Sequence, residues 1–177
     1  EVIRARWNND FSKMQDDLES SNKLSATLDL ATGTGKSYVM FAIALIMLAT
    51  KKVSRVLVLV PSRTIERELT QKFKDLLENQ QLLKTLGQNF VPPQILNGDS
   101  TIVENSIAIE NRDAIYKAQS SRNSIIDSLR GNGEKTLVLN DEVHHVYYSE
   151  SNEWKKFLED ERDNGINFKY IIGVTGT

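Results

Sequence analysis

The sequence predicts an α/β domain of three layers, in which helices cover both faces of a mostly parallel central sheet. Short apolar runs of strand length alternate with longer stretches of helical spacing. A glycine-rich turn separates the first predicted strand from a helix, and two carboxylates directly follow a later strand. The chain has 177 residues, 40% hydrophobic and 26% charged, so we expect one globular domain with a substantial core.

The predicted elements form β-α units after an upstream helical segment, residues 1–24, in which apolar side chains recur at steps of three or four. Strands are predicted where aliphatic runs meet turn residues, at 26–30, 55–60, 92–96, 106–110, 136–140 and 169–174. Helices are predicted from apolar periodicity at 36–49, 63–79, 112–130 and 152–163. Residues 25–177 then make up the core of the domain.

Composition excludes several kinds of site. The chain has no cysteine, which removes disulfides, zinc–thiolate sites and thiol nucleophiles and fits a reducing compartment, so we expect a cytoplasmic protein. The formal net charge of -2 gives no bulk electrostatic reason for nucleic-acid binding. The apolar run at 39–49 is too short to cross a bilayer, and we expect no membrane association. Because the chain starts at Glu1 and stops at Thr177 directly after a glycine, we expect a piece of a longer protein.

The stretch "DLATGTGKSYV", which starts at Asp29, resembles a phosphate-binding loop but breaks its pattern. The pattern G-x-x-x-x-G-K-[ST] needs a glycine at position 30, where this chain has Leu30. That position lies at the predicted strand end, where a leucine can pack, and the two glycines of the turn flank its sharp part. A strand, a glycine turn and a helix start favour a polyphosphate, with Lys36 as counter-charge and Ser37 as a hydroxyl for Mg²⁺. The alternative is a flexible turn with an incidental lysine.

The stretch "LVLNDEVHHVY", residues 137–147, places Asp141 and Glu142 directly after a strand. They should therefore lie at the carboxyl edge of a parallel sheet, where such sheets bind ligands. One carboxylate there can hold Mg²⁺ through water, and the other can accept a proton from an attacking water. The alternative is a solvated acidic turn. The adjacent His144 and His145 point about 100° apart on a helix and do not fit a zinc-hydrolase pattern.

Taken together, "ATGTGKS", the later "NDEVHH" and the terminal "GVTGT" resemble motifs I, II and III of DExH-type superfamily 2 helicases and translocases. The wording "LATGTGKS" and "LVLNDEVHH" is most similar to the motor subunit of type III restriction enzymes, and the resemblance covers nearly the whole chain. It implies a three-layer RecA-like P-loop NTPase domain, the first of two in the motor, that binds ATP and Mg²⁺. It also implies ATP hydrolysis coupled to movement on duplex DNA, within a restriction endonuclease.

The resemblance implies a role for each matching position. The implied nucleotide-binding residues are Thr32, Gly33, Thr34, Gly35, Lys36 and Ser37. Lys36 would contact the β- and γ-phosphates, while Ser37 and Asp141 would serve Mg²⁺. Glu142 would position or deprotonate the attacking water, and His144 would link the nucleotide site to the terminal segment. The residues implied to carry that link are Thr175, Gly176 and Thr177.

The segment "VPSRTIERE", residues 60–68, stands where motif Ia lies in the relatives. There it implies contact between Ser62, Arg63 and Thr64 and the sugar-phosphate backbone of a nucleic acid. An equally good interpretation makes Arg63 a solvated residue at the start of a helix. The adenine-reading glutamine of the family has no match, because the surroundings of Gln15 do not follow its pattern.

The resemblance implies two further partners, a second RecA-like domain in the same protein and a modification subunit that carries sequence specificity. Without the second domain, we expect residues 1–177 alone to be weakly active or inactive. Two other classes stay open on the residues themselves. One is a P-loop kinase, although residues 80–135 have no arginine-rich lid, and the other is a non-catalytic nucleotide-sensing domain.

Overall fold

The computed structural model describes residues 24–31, 33–87, 89–97, 101–111, 124–141, 157–158 and 165–176. Their strands are β1 (Leu24–Asp29), β2 (Arg55–Val60), β3 (Gln94–Asn97), β4 (Ser106–Asn111), β5 (Thr136–Asp141) and β6 (Tyr170–Thr175). Their α-helices are α1 (Lys36–Ala49), α2 (Arg63–Leu77), α3 (Gln80–Thr85) and α4 (Ser124–Leu129). A short 3-10 helix, Gly133–Lys135, precedes β5.

The six strands form one sheet in the order β1-β6-β5-β2-β4-β3, and every neighbouring pair is parallel. Parallel pairing puts the carboxyl ends of all strands at one edge. The register sets Asp29 opposite Thr175 and sets Val174 opposite Asp141. The loops after β1, β5 and β6 therefore leave the sheet beside one another.

Apolar side chains fill both faces of this sheet, as strand β2 shows. Val56, Val58 and Val60 pack into the core that includes α1 and α2. Leu57 and Leu59 point to the opposite face and pack into the core that includes α4. Successive side chains of a strand alternate between faces, so a continuous apolar run is what a sheet covered on both sides requires. The predicted three-layer α/β fold is confirmed.

Several predicted boundaries are wrong by one or two residues, among them those of the strand predicted for 92–96, which spans Gln94–Asn97. Strand β1 ends at Asp29, so Leu30 lies just beyond the strand predicted for residues 26–30. The helix predicted for 63–79 stops at Leu77, and α3 starts separately because the Asn79 side chain accepts hydrogen bonds from the first backbone N–H groups of α3. A cap of this kind favours a new helix start over continuation.

Several predicted elements lie wholly or partly outside the described residues. These are residues 1–23 of the upstream segment 1–24, residues 112–123 of the predicted helix 112–130, and most of the predicted helix 152–163. The division of the chain at residue 24 therefore stays a prediction. Within the last helix, Phe157 and Leu158 are helical and buried in the second core. None of the helices in the described part of the chain is long and apolar enough to span a membrane.

Candidate functional site

The loop between β1 and α1 begins as an extension of the sheet. The backbone N–H of Leu30 donates to the carbonyl of Thr175 at 3.0 Å, which continues the pairing with β6. The Leu30 side chain packs against the first core, and its φ is not positive. Position 30 therefore needs no glycine, and the departure from the strict phosphate-loop pattern has a structural reason.

The turn itself depends on glycines at two other positions. Gly33 and Gly35 have φ of 82° and 88°, in the left-handed region that disfavours residues with a Cβ. Thr34 closes the loop, because both its backbone N–H and its hydroxyl donate to the carbonyl of Ala31, at 3.2 and 2.6 Å. Gly35 is the N-cap of α1 and has no side chain to cap the helix, and the first turn of α1 has no acidic residue. The positive end of the helix dipole therefore faces the loop, and no acidic side chain of that first turn offsets it.

Three segments meet at the side chain of Lys36. Its Nζ lies 3.8 Å from Oδ1 of Asp141, the last residue of β5, and both side chains are largely buried. Gly176, just after β6, lies against the same ammonium, since a Cβ built at Gly176 would fall 2.8 Å from Nζ. The structure thus brings together residues from all three stretches that the sequence singled out. A cation, a carboxylate and a glycine turn at one sheet edge fit the phosphates and metal of a nucleotide.

The hydroxyl of Ser37 has a partner that the sequence did not indicate. Lys72 of α2 donates from Nζ to Ser37 Oγ at 2.6 Å, and the same ammonium lies 4.1 Å from the ring centroid of Tyr38. Lys72 is half-buried. The sequence feature that could have indicated this contact is the position of Lys72. It follows Ile65 and Leu69 at helical spacing, where an apolar residue is expected.

The start of α2 carries the residues suggested for nucleic-acid contact. Ser62 is the N-cap, and its Oγ accepts from the backbone N–H of Ile65 at 3.3 Å. Arg63 and Thr64 are exposed in the first turn, at the carboxyl edge of the sheet. Ser62 therefore has a structural role in capping, while Arg63 and Thr64 have accessible donors.

A buried carboxylate fixes α2 to the neighbouring strand. Glu66 is 6% exposed, and its Oε2 accepts from both the backbone N–H and the side-chain amide of Asn111, at 3.1 and 2.6 Å. Asn111 is the last residue of β4. This pair holds the first turn of α2 against the sheet edge, and its signal in the sequence is no more than the interruption of an apolar pattern.

Four of the predicted site residues lie outside the described residues, namely Thr32, Glu142, His144 and Thr177. Glu142 directly follows Asp141 in the sequence. Thr175 is half-buried at the end of β6, and its carbonyl holds the start of the glycine loop. The roles assigned to all of these residues stay predictions.

A parallel sheet with a glycine loop after β1, a lysine at the start of α1 and an aspartate at the end of β5 defines a RecA-like domain of the helicase type. The chain shares this fold with the UvsW helicase from bacteriophage T4, at 13% identity and a TM-score of 0.52, over 85% of this chain and 46% of that one. It also shares it with the DUF1998 helicase MrfA, at 14% identity and a TM-score of 0.57, over 99% of this chain and 28% of that one. This chain thus spans less than half the length of either helicase.

The chain belongs to the family described as type III restriction enzyme, res subunit, because the model of that family matches residues 3–177. The match includes the glycine loop, the end of β5 and the segment after β6. The comparison with curated proteins gave no match. Family and fold together support a helicase-type, ATP-dependent domain.

Proposed function

We propose that this chain is the first RecA-like domain of the motor of a type III restriction endonuclease, and that it binds ATP to drive movement along duplex DNA. The observation that carries the proposal is the position of the Lys36 ammonium, which lies between Asp141 and Gly176 at the head of the glycine loop. Hydrolysis then proceeds by in-line attack of water on the γ-phosphate.

Each part of the site has a task in this reaction. Lys36 binds the outer phosphates, and the backbone of residues 33–35 surrounds them. Ser37 and Asp141 would hold Mg²⁺ through a hydroxyl and a carboxylate oxygen, and the metal would supply positive charge for the phosphate oxygens. Glu142 orients the water or accepts its proton.

The link between the nucleotide site and movement uses the segment after β6. Thr175 pairs with the glycine loop through its carbonyl, and Gly176 lies against the Lys36 ammonium. If the Lys36 ammonium moves on hydrolysis, its contact with Gly176 changes, and the segment after β6 can move with it. His144, Thr175 and Thr177 are the residues we assign to this coupling, with Gly176 between them.

The nucleic-acid contact is assigned to the loop after β2. Arg63 and Thr64 are exposed at the same sheet edge as the nucleotide loop, and Ser62 keeps their helix start in place. Donors of this kind contact phosphates and give affinity without sequence preference. Sequence specificity then resides in a modification subunit. A second RecA-like domain of the same protein completes the nucleotide site, so we expect residues 1–177 alone to bind nucleotide weakly and to hydrolyse little.

The test measures nucleotide affinity and ATP turnover of the full-length protein with duplex DNA, with RNA and without nucleic acid. Lys36→Ala should abolish nucleotide binding, whereas Glu142→Gln should bind normally and lose turnover. Lys52→Ala, which changes an exposed lysine at the opposite edge of the sheet, is the matched control and should behave as wild type.

Four results would contradict parts of the proposal. Unchanged binding by Lys36→Ala would remove the nucleotide site, and unchanged turnover by Glu142→Gln would remove Glu142 from its role. Binding of ATP without any turnover in the wild-type protein would instead indicate a nucleotide sensor. Stimulation of ATP turnover by RNA but not by DNA would show that the nucleic-acid substrate is RNA.

A further inference from the structure

Lys72 is held in place by two separate contacts on helix α1. Its Nζ donates to Ser37 Oγ at 2.6 Å, and the ring of Tyr38 lies beneath the same ammonium, 4.1 Å from the ring centroid. The helices that carry these residues are fixed to each other, because the rings of Phe41 and Phe73 pack with centroids 4.9 Å apart. The Lys72 ammonium is therefore held against α1 by both contacts and is not a freely moving surface side chain.

We infer that Lys72 is a positioning residue that competes with Mg²⁺ for the hydroxyl oxygen of Ser37. The inference rests on the proposed function, in which Ser37 is a ligand of the metal. An ammonium offers only donors, so Lys72 occupies a lone pair of Ser37 Oγ. A metal bound to that oxygen at about 2.1 Å would lie next to the ammonium, and two cations on one small oxygen repel each other.

Lys72 has the opposite effect on the phosphates. When no metal is present, its ammonium is a positive charge beside the loop that receives the triphosphate, and it favours nucleotide binding. When metal is present, the same charge must leave Ser37 or weaken the metal–hydroxyl bond. Lys72 therefore reduces the difference between nucleotide affinity with Mg²⁺ and without it.

The experiment measures the affinity of the full-length protein for a fluorescent, non-hydrolysable ATP analogue, in Mg²⁺ and in EDTA. The readout is the ratio of the two dissociation constants, EDTA over Mg²⁺. Lys72→Met keeps the unbranched stem of the side chain, one atom shorter, and removes its charge. We expect the ratio to rise about tenfold, since a repulsion between cations and an attraction to phosphate are lost together. Lys74→Met, an exposed lysine on the same helix, is the matched control and should leave the ratio unchanged.

Two further variants separate competition from a structural role. Lys72→Arg keeps the charge and should keep the ratio close to that of the wild type. In a Ser37→Ala background the shared oxygen is gone and only the attraction to phosphate is left to lose, so adding Lys72→Met should raise the ratio less than it does in the wild type. Lys72→Gln replaces Lys72→Met if the methionine variant melts below the wild type.

A ratio that stays constant or falls in both neutral variants overturns the inference, as does the same rise in the Ser37→Ala background. Failure of the proposed function looks different, because then Lys36→Ala would bind the analogue as wild type does. If Lys36→Ala abolishes binding and Lys72→Met leaves the ratio unchanged, only the inference about Lys72 is lost.

Discussion

Replacing Gly176 by alanine puts a methyl group too close to the Lys36 ammonium. The new Cβ would fall 2.8 Å from Nζ and 3.4 Å from Cε of Lys36, and 3.5 Å from the carbonyl oxygen of Leu30. Only the first of these distances is shorter than an ordinary contact, so Nζ has to move by about 0.6 Å or more. The displaced atom is the far end of a flexible side chain, and Gly176 does not have a positive φ. We therefore expect little change in stability, within about 0.5 kcal/mol.

The expected effect on binding follows from what Lys36 does. A charge-assisted hydrogen bond contributes about 1.5–3 kcal/mol, and moving the ammonium off its position removes part of that. A loss of about 1.4 kcal/mol corresponds to about tenfold weaker nucleotide binding. Gly176→Ala should thus lie between the wild type and Lys36→Ala in affinity, while it melts like the wild type.

The assay combines a nucleotide titration with a thermal melt of the full-length protein, and Gly131→Ala is its control. Gly131 has a φ of 68° and a Cβ there meets nothing within 4 Å, so alanine costs about 1 kcal/mol of backbone strain at a turn far from the carboxyl edge. The control should lower the melting temperature and leave affinity unchanged, which is the reverse of the expected result for Gly176→Ala. Wild-type affinity in Gly176→Ala would refute the idea that Gly176 positions Lys36.

Two predictions concern the framework of the fold. Glu66→Leu removes the acceptor of both Asn111 bonds and should lower the free energy of unfolding by about 1–3 kcal/mol in urea titrations, whereas the exposed Glu68→Ala should stay within about 0.5 kcal/mol of the wild type. Equal stability of the two variants would contradict this assignment. Gly133→Ala would set a Cβ 1.7 Å from the carbonyl oxygen of Ile166, so backbone has to move and we expect a loss above about 2 kcal/mol. A wild-type melting temperature for that variant would show that this packing is wrong.

The elements of the fold were predictable because their signals are local. The continuous apolar run of β2 and the helical spacing of α2 each lie within one segment, and both elements start where the sequence placed them. The strand order was not predictable in the same way, because pairing of β1 with β6 joins the first and last described strands. The end of α2 was missed because a side-chain cap at Asn79 outweighs the continuing helical pattern.

The candidate site was predictable to the level of the sheet edge and not beyond it. Parallel strands put the start of α1 and the end of β5 at one edge, which is where Lys36 and Asp141 lie, 3.8 Å apart. The strict phosphate-loop pattern misleads at Leu30. Its glycine stands for a positive φ, which among the described residues of this loop is found at Gly33 and Gly35 and not at Leu30. The contact between Lys72 and Ser37 joins two different helices, so it could not be predicted from the residue spacing within either helix.

Lys72 and Glu66 both break the apolar pattern of α2, and their partners decide what each break means. Glu66 accepts hydrogen bonds from the backbone and the side chain of Asn111 at the end of β4, and this contact within the protein explains its burial without a ligand. Lys72 instead uses a hydroxyl at the start of α1 and a ring that is 55% exposed, so it faces the space beside the glycine loop. Residues that break the local apolar pattern of a helix are expected at functional sites. Of Glu66 and Lys72, the one beside the glycine loop is Lys72, and we therefore assign a function to Lys72.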